Sequence, residues 1–420
     1  MAENTKLFGM KAEGGRWVYV ILGLVINLCL GSVYAYSIFK GPVEKVLGVS
    51  ASQGILPFMI FLAFFAVTMF FGGKLMEKLG PRNQIIIGGI IVGLGWMLSS
   101  LATNIWMLTL TYGVIAGSGV GLVYGCPVAM GARWFPDRKG LAVGLMLAGF
   151  GGSALITGKI ASVLIGDPKA LPLDQLAANL SNTFLYFGMF FTVVLIILAI
   201  PYRFPVVGWK PEGWAPAASA APALDITAKQ MIRTSTFWGL FGCFLIGSIS
   251  GLMAIGIAKP VGSEIIKIAG ETAATLVGIF AIFNAAGRPL FGWITDKFAP
   301  RGAAVLNLGI ILVSSLLMLA AGEGSTGLYV CGFCGFWLCL GGWLAIAPTA
   351  TAVYFGVKNA ARNYGVVFFA YGLGAIVGGI ISGQAKDVFG AYTFAFYPTA
   401  ALAAIGMVLA ALLIKPPKKA

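Results

Sequence analysis

The stretch GIFAIFNAAGRPLFGWITDK, residues 278–297, places an arginine inside a run of apolar residues. Arg288 lies near the middle of this run, and Asn284 precedes it by one helical turn on the same helix face. An arginine at the centre of a membrane helix costs about 2.5–3.5 kcal/mol on insertion scales. Its planar guanidinium can hold a carboxylate by two parallel hydrogen bonds, so the pair points to carboxylate binding, with Asn284 orienting the guanidinium or touching the ligand.

The structural alternative is that Arg288 pairs permanently with a protein acid or extends to the membrane surface. The chain has 14 Asp and Glu residues, and all of them fall in predicted loops or at span edges. A residue at mid-span is also badly placed to reach the headgroups. We therefore expect the counter-ion of Arg288 to be a bound anion.

Other kinds of chemistry find little support in the sequence. The chain has no histidine, which excludes histidine metal sites and histidine general bases. No nucleophile–base pair converges in the apolar segments, so we do not expect an enzyme. A receptor would need an appended signalling domain, for which the layout leaves no room, and an ATP-driven pump would need a Walker motif, which is missing. We expect no cofactor and no metal.

The elements that must position these residues are predicted to be membrane helices. Hydrophobic residues make up 59% of the chain and charged residues only 10%, against about 25% charged in a soluble domain. Apolar runs of about 20 residues, each able to cross about 30 Å of hydrocarbon, recur twelve times. Their approximate limits are Trp17–Phe39, Gln53–Leu75, Gln84–Leu101, Trp106–Ala132, Gly140–Gly166, Thr183–Ile200, Phe237–Ala258, Ala273–Ile294, Ala303–Ala321, Leu328–Phe355, Tyr364–Ser382 and Tyr392–Ile414.

The positive charge of the chain has a topological explanation. The formal net charge is +14, and Lys and Arg concentrate in the segments that would share one side of the membrane. This asymmetry follows the positive-inside rule and predicts that both termini are cytoplasmic. We therefore expect a lipid bilayer as the partner of the basic segments and no nucleic acid.

A segment rich in proline, alanine and charge, residues 202–233, divides the spans into two sets of six and predicts a cytoplasmic linker. The expected fold class is an all-α membrane protein with twelve transmembrane helices in two six-helix bundles. The predicted boundaries are a cytoplasmic N-terminus at 1–16, an N-terminal bundle at 17–201, the linker at 202–233, a C-terminal bundle at 234–414 and a cytoplasmic tail at 415–420.

The two halves repeat each other. GGKLMEKLGPR (residues 72–82) follows the second span, and FGWITDKFAPR (residues 291–301) follows the eighth; aligned on Glu77 and Asp296, they are 219 residues apart. Segments that enter the fifth and eleventh spans repeat at nearly the same offset. Duplicated six-helix halves are typical of transporters whose site lies at the interface near mid-membrane.

The two repeated loops are candidate gating elements. Each contains an acid, Glu77 or Asp296, that can pair with cations or a helix N-terminus at the cytoplasmic face in one conformation. Each ends in a basic residue, Arg82 or Arg301. The alternative is a solvated charged loop, but duplication at equal offset favours gating.

These residues carry a family resemblance. GGKLMEKLGPR resembles the loop motif of the major facilitator superfamily, and the second copy departs from it at Ala299, where the pattern has glycine. The pieces GSVYAYSIF, GVGLVYG, ARWFPDRKGLAVG, GRPLFGWITDK and ARNYG resemble the oxalate:formate antiporter family, close kin of the monocarboxylate transporters. The resemblance implies two bundles that rock about a central carboxylate site, a bacterial inner membrane location, and a substrate-binding role for Arg288.

Two tyrosines in the N-terminal half are further candidates for the site. Tyr34 lies in the first span, with Asn27 seven residues earlier on a similar face, and Tyr124 lies in the glycine-rich GSGVGLVYG of the fourth. A phenol can donate a hydrogen bond to a carboxylate, although packing and interfacial anchoring are the commoner roles of membrane tyrosines. The family match at Tyr34 and Tyr124 implies that both belong to the site.

The C-terminal half departs from the family in ways that bear on charge. Tyr371 occupies the position where the oxalate transporter has its second cation, a lysine, and Leu340 and Leu344 replace two aromatic residues of the tenth span. One cation and a hydroxyl suit a monoanion in an apolar pocket, whereas two cations suit a dianion. Asn284 stands where some monocarboxylate transporters have an aspartate implicated in proton coupling, and an amide cannot titrate.

The expected function is secondary transport of small monocarboxylates of the lactate, pyruvate, acetate or formate class by alternating access. The coupling is left open between proton symport and anion exchange. The alternative is an oxalate:formate-type antiporter of a dicarboxylate and a monocarboxylate. We expect the protein to work as a monomer.

Overall fold

A computed structural model describes residues 6–206, 209–212, 226–356 and 359–416. The predicted linker, N-terminal segment and tail therefore lie partly outside the described residues. The longer α-helices are Ala12–Leu30, Tyr36–Leu47, Leu56–Ser99, Gly117–Trp134, Lys139–Ile165, Leu173–Ala199, Ser235–Glu264, Gly270–Ala320, Thr326–Phe355, Ala360–Val367, Phe369–Asp387 and Phe396–Leu413. The shorter elements are the helices Ala51–Gly54, Ile105–Leu108 and Ala228–Met231, the 3-10 turns Gly31–Ala35 and Tyr392–Ala395, the π-helical segment Thr109–Ala116, and an antiparallel hairpin of Lys6–Leu7 with Met10–Lys11.

Ten stretches of helix are long and apolar enough to cross a membrane, and two of them are double. The stretch Ala51–Ser99 divides at Gly80 (φ 72°), and Gly270–Ala320 divides at Ala299 (φ 58°). Proline follows each of these residues and disfavours helix at the residue before it. The described residues thus hold twelve membrane helices, numbered here in chain order, and the predicted fold class is confirmed.

Because successive spans run in opposite directions, their ends form two layers. We call the layer with Gly80, Ala299 and the connection between the sixth and seventh spans the linker end, and the opposite layer the far end. Helices of the two halves meet directly between these layers. A Cβ at Gly372 in the eleventh span would lie 2.8 Å from the Cβ of Ala66 in the second, so the small side chains allow close approach.

The first span continues past its predicted end. The sequence predicts that it ends at Phe39, before a lysine, but the helix runs on to Leu47 and Lys40 is fully buried. The Lys40 ammonium forms an ion pair with Glu44 one turn later and donates a hydrogen bond to the Tyr392 hydroxyl at 2.6 Å. Hydropathy alone ends the span too early because it cannot anticipate these two partners.

The two halves are joined at the far end. The Asp387 carboxylate, at the end of the eleventh span, accepts hydrogen bonds from the backbone N–H groups of Ala51 (3.0 Å) and Ser52 (2.9 Å), in the first turn of the second span. A carboxylate at a helix N-terminus satisfies N–H groups that have no partner within the helix. An exposed ion pair between Lys159 and Glu271, 3.5 Å apart, also crosses between the halves, but exposed pairs contribute little.

An ion pair between a buried arginine and a partly exposed aspartate fixes the linker end of the N-terminal half. Arg16, at the start of the first span, makes a bidentate contact with Asp137, in the loop between the fourth and fifth spans, at 2.5 and 2.8 Å. One guanidinium nitrogen also donates to the Trp134 carbonyl at 3.0 Å. The hydrogen bonds from Arg16 hold the pKa of the Asp137 carboxyl below its ordinary value.

Candidate anion-binding site

Arg288 lies in the eighth span with a buried, unmatched charge. Arg288 is only 4% exposed, and none of its three side-chain nitrogens has a hydrogen-bond partner within the described residues. The five ion pairs that the described residues form do not include Arg288. A guanidinium deprived of water and of protein partners attracts an anion, because leaving a charge unpaired in a low-dielectric interior is costly.

The guanidinium faces the N-terminal half. Its carbon lies 5.8 Å from the centroid of the Phe150 ring of the fifth span, within the range of a cation–π contact. The same Phe150 ring packs against the rings of Tyr34 and Tyr124, which brings these two phenols into the neighbourhood of the guanidinium. Arg288 therefore belongs to the interface between the halves.

Asn284 secures the eighth span one turn before Arg288. Its amide nitrogen donates to the Trp337 carbonyl of the tenth span at 3.0 Å, while its amide oxygen is buried and has no partner among the described residues. That oxygen lies 2.7 Å from the position that a Cβ at Gly151 would occupy, so the backbones of the fifth and eighth spans are in close contact at this glycine. Asn284 thus links the eighth span to the tenth and faces the fifth.

Tyr34 and Tyr371 connect the halves by their side chains. Tyr34 lies in the 3-10 turn Gly31–Ala35 of the first span, Tyr371 lies in the eleventh span, and both are fully buried. Their hydroxyl oxygens are 2.7 Å apart, a hydrogen bond in which either can be the donor. The bond puts two phenols from opposite halves in the neighbourhood of a single guanidinium.

Aromatic rings that the sequence analysis did not single out surround these groups. Phe150 packs edge-on against Tyr34 (5.1 Å between centroids) and Tyr124 (5.4 Å), and Phe65 of the second span lies 5.1 Å from Tyr124. Phe368, one helical turn before Tyr371, stacks on it at 4.9 Å. These three rings come from three spans, the second, fifth and eleventh, so no local pattern in the sequence could have predicted that they meet. Only the spacing of Phe368 and Tyr371 can be read from the sequence.

Three further predicted residues, Asn27, Leu340 and Leu344, are buried within their spans. The Asn27 amide donates to the Gly23 carbonyl of its own helix at 2.9 Å. Leu340 packs against the seventh span, where a Cβ at Gly251 would lie 2.6 Å from its Cβ. Leu344, one turn later in the tenth span, is 6% exposed.

The predicted gating residues lie at the linker end. Glu77 and Arg82 flank Gly80, and Asp296 and Arg301 flank Ala299; all four are exposed. None of them takes part in an ion pair among the described residues. Their gating role remains a prediction.

The arrangement offers one fixed positive charge, several phenols and an apolar aromatic wall. A carboxylate fits the guanidinium through two parallel hydrogen bonds, and phenols can donate to its oxygens or to a neighbouring oxygen of the same molecule. Aromatic rings exclude water and pack against a small apolar group. The site therefore has the groups needed to hold a small organic anion of single charge.

Comparison with known proteins shows the family to which this sequence is similar. The sequence model of the Major Facilitator Superfamily matches residues 20–352 and 248–420. The chain is 29% identical over 415 residues to the oxalate:formate antiporter of Oxalobacter formigenes, covering 97% of this chain and 94% of that protein. It is 29% identical over 334 residues to monocarboxylate transporter 13 of Rattus norvegicus, covering 77% and 71% of the two chains.

A solved structure has the same fold. It is the crystal structure of a bacterial homologue of the human lysosomal transporter Spinster, in an inward-facing and unoccupied conformation. The TM-score is 0.74 with 15% sequence identity, over 96% of this chain and 98% of that one. At this identity the likeness concerns the fold alone.

Proposed function

The chain belongs to the Major Facilitator Superfamily, and on that premise we propose that it carries small monocarboxylates across a membrane by alternating access. The observation that carries the proposal is the buried guanidinium of Arg288, whose nitrogens have no partner among the described residues. Arg288 binds the carboxylate of the cargo. The family and the relatives named above are transporters, which agrees with transport rather than catalysis.

The remaining residues complete the binding site in this proposal. Tyr124 and the hydrogen-bonded pair of Tyr34 and Tyr371, which keeps one free proton, donate hydrogen bonds to cargo oxygens. Asn284 fixes the eighth span against the tenth, one turn before Arg288. Asn27, Leu340 and Leu344 line the route or the apolar part of the site. A tyrosine rather than a second cation at position 371 favours monoanions such as lactate, pyruvate, acetate or formate over a dianion.

Cargo binding also explains why the transporter would change state only when loaded. A bound carboxylate neutralises Arg288, so the halves can close around a site without net charge. An empty site would have to close around an isolated cation, which is unfavourable in a low-dielectric interior. We propose anion exchange, or symport with a proton that enters with the cargo, because Asn284 cannot carry a proton itself.

The proposed membrane arrangement has the linker end in the cytoplasm of a bacterial inner membrane. Both termini then lie in the cytoplasm, the bundles span 17–201 and 234–414, and the loops with Glu77, Arg82, Asp296 and Arg301 open and close that face. We propose that a single chain is the transporting unit.

The test is uptake of labelled lactate or pyruvate into proteoliposomes with and without a pH gradient. Arg288→Gln should abolish uptake while the protein still inserts, because the carboxylate loses its only fixed charge. Arg233→Gln, which removes an exposed arginine at the linker end, is the matched control and should transport normally. Normal uptake by Arg288→Gln would refute the proposal.

A competition panel decides between the two substrate classes. Saturating acetate, lactate and pyruvate should inhibit uptake of the labelled monocarboxylate, and oxalate should not. Strong inhibition by oxalate would instead identify an exchanger of the oxalate:formate type, the activity named for the Oxalobacter relative.

A further inference from the structure

A cavity lies at the linker end of the N-terminal half, and none of its lining residues belongs to the anion site. Its volume is about 430 Å3. It opens between the start of the third span, which contributes Arg82, and the segment after the sixth span, which contributes Tyr202 and Arg203. The hairpin before the first span supplies another wall through Leu7 and Phe8.

The lining of this cavity is positively charged and includes no acidic residue. Two of its lining residues, Arg82 and Arg203, are arginines, and none is an acid. Neither arginine has a carboxylate within ion-pair distance in the part of the chain that the structure describes. Among residues 6–206, the Arg203 guanidinium donates a long hydrogen bond, 3.4 Å, to the Lys6 carbonyl. Two guanidiniums that share a cavity without an acid attract an anion.

One residue that lines the cavity, Tyr202, has a buried hydroxyl without a partner. Tyr202 is 2% exposed, and its phenol oxygen forms no hydrogen bond within the described residues. The neighbouring phenol differs, since Tyr19 donates to the Pro201 carbonyl at 2.9 Å. Burial raises the pKa of the Tyr202 hydroxyl, so it keeps its proton and can serve as a donor. An unpaired buried donor is costly unless a ligand satisfies it.

The hairpin wall is held in place by packing. Leu7 is buried against the first span, where a Cβ at Gly15 would lie 2.5 Å from the Leu7 carbonyl oxygen. The Phe8 ring packs edge-on against Tyr19 with centroids 5.3 Å apart. The exposed lysines Lys6 and Lys11 face each other across the hairpin and add positive charge nearby. The cavity is therefore a defined part of the fold.

The cavity lies where an apolar surface meets this basic region. Ile87 in the third span and Ile197 in the sixth are exposed by 41% and 57%, and Ile200 at the cavity itself by 54%. In an integral membrane protein, such side chains face lipid. The basic cavity at the end of this surface is thus at the depth of lipid headgroups, where anionic lipids attract lysine and arginine.

We propose that this cavity binds the phosphate of an anionic phospholipid, with the acyl chains along the exposed isoleucines. Arg82 and Arg203 hold the phosphate oxygens, because a guanidinium matches phosphate with parallel hydrogen bonds. The unpaired Tyr202 hydroxyl, which is buried beside the cavity, turns towards the phosphate and donates a further hydrogen bond. The site shares no residue with the anion site at Arg288 and does not depend on which carboxylate the protein carries.

The experiment is native mass spectrometry of the full chain in detergent, titrated with phosphatidylglycerol or with phosphatidylcholine. The wild type should bind phosphatidylglycerol preferentially and unfold at a higher temperature when it is bound. Arg203→Gln should weaken that binding about tenfold, since hydrogen bonds to charged groups are among the stronger ones, and Tyr202→Phe should weaken it by about half that factor or less. Arg233→Gln is the control with the same loss of charge and should bind as the wild type.

A second arm identifies the source of the phosphate. Inorganic phosphate at millimolar concentration should neither displace phosphatidylglycerol nor raise the unfolding temperature; if it does both, and Arg203→Gln abolishes the effect, the site takes soluble phosphate instead of a lipid. Retention of wild-type phosphatidylglycerol binding by both Arg203→Gln and Tyr202→Phe overturns the proposal. Carboxylate uptake in phosphatidylcholine liposomes is the folding control for Arg203→Gln. Uptake equal to that of the wild type shows that the variant is correctly folded, so that weaker lipid binding reports on the site.

Discussion

The hydroxyl oxygens of Tyr34 and Tyr371 lie 2.7 Å apart and link the first span to the eleventh across the interface of the two halves. Two phenols carry two protons, and the bond between them uses one. The second proton is therefore free to be donated to a third oxygen. With Arg288 nearby, that oxygen would belong to the cargo, so the pair both joins the halves and contributes to the binding of the anion.

Removing one hydroxyl tests this double role. Tyr371→Phe keeps the ring and its stacking on Phe368 but leaves the Tyr34 hydroxyl without its partner. We expect the KM for a monocarboxylate to rise about tenfold, as for the loss of a hydrogen bond to a charged group. Uptake kinetics in proteoliposomes measure this. Tyr186→Phe, at an exposed position of the sixth span, is the control, and equal KM values for the two variants would contradict the role.

The charge at position 371 should set the charge of the cargo. Tyr371→Lys places a second cation near Arg288, and two cations require two negative charges for neutrality. We expect oxalate to become an effective competitor of labelled monocarboxylate uptake and acetate to become a poorer one. A competition profile identical to that of the wild type would show that this position does not select charge.

Ala299 holds a backbone conformation that favours glycine. Its φ of 58° with ψ of 163° matches Gly80 (72°, 166°) at the equivalent place in the other half. A residue with a Cβ pays about 1–3 kcal/mol in such a region. Ala299→Gly should stabilise the protein by about 1 kcal/mol, less than the full strain because glycine gains entropy when unfolded.

The reciprocal variant is the control for backbone strain. A Cβ at Gly80 would meet no atom within 4 Å, so Gly80→Ala adds strain without a steric clash. It should destabilise the protein by about 1–3 kcal/mol. Thermal unfolding in detergent compares the two, and an unfolding temperature that falls for Ala299→Gly would argue against strain at this position.

The pair of Arg16 and Asp137 predicts a pH dependence of stability. The pKa of the Asp137 carboxyl is lowered by its hydrogen bonds with Arg16, so the pair stabilises the fold above the ordinary pKa of 3.8 and loses this effect as the pH falls through the lower, folded value. Asp137→Asn should cost about 1–2 kcal/mol, because the pair has two charge-assisted hydrogen bonds but its carboxylate is partly exposed. Unfolding curves measure the difference.

This difference should be constant from pH 8 down to about pH 5 and shrink only in more acidic buffer, because Asp137 stays ionised above its lowered pKa. The matched control is Asp174→Asn, which removes an exposed carboxylate from the first turn of the sixth span. Its unfolding temperature should remain close to that of the wild type. A difference for Asp137→Asn that already fades between pH 8 and pH 6 would contradict the assignment.

The fold was predictable because membrane helices can be recognised from local sequence alone. Runs of about 20 apolar residues, the repeated loop and the positive-inside asymmetry require no knowledge of tertiary contacts. The departure at Ala299 was visible as a broken repeat, and the structure gives it the same positive φ as Gly80. The end of the first span was wrong because the partners of Lys40 lie one turn later and in the twelfth span.

The site was only partly predictable. Arg288 stood out because a cation in an apolar run is rare, and Tyr34 and Tyr371 could be found by family resemblance. Phe65 and Phe150 could not, because an aromatic residue among other apolar residues has no distinguishing pattern until the spans pack. The sequence places Tyr202 and Arg203 in a linker, and the cavity that they share with Arg82 depends on where the third span begins and the sixth span ends.

The lone guanidinium at the interface also makes the proposed cycle sensitive to voltage. A carrier loaded with a monoanion crosses as a neutral unit, whereas a carrier that returns empty moves the charge of Arg288. Moving one elementary charge across the full bilayer is worth about 2.3 kcal/mol per 100 mV. An electrical gradient should therefore act on the unloaded return step and leave one-for-one exchange between two monoanions electroneutral.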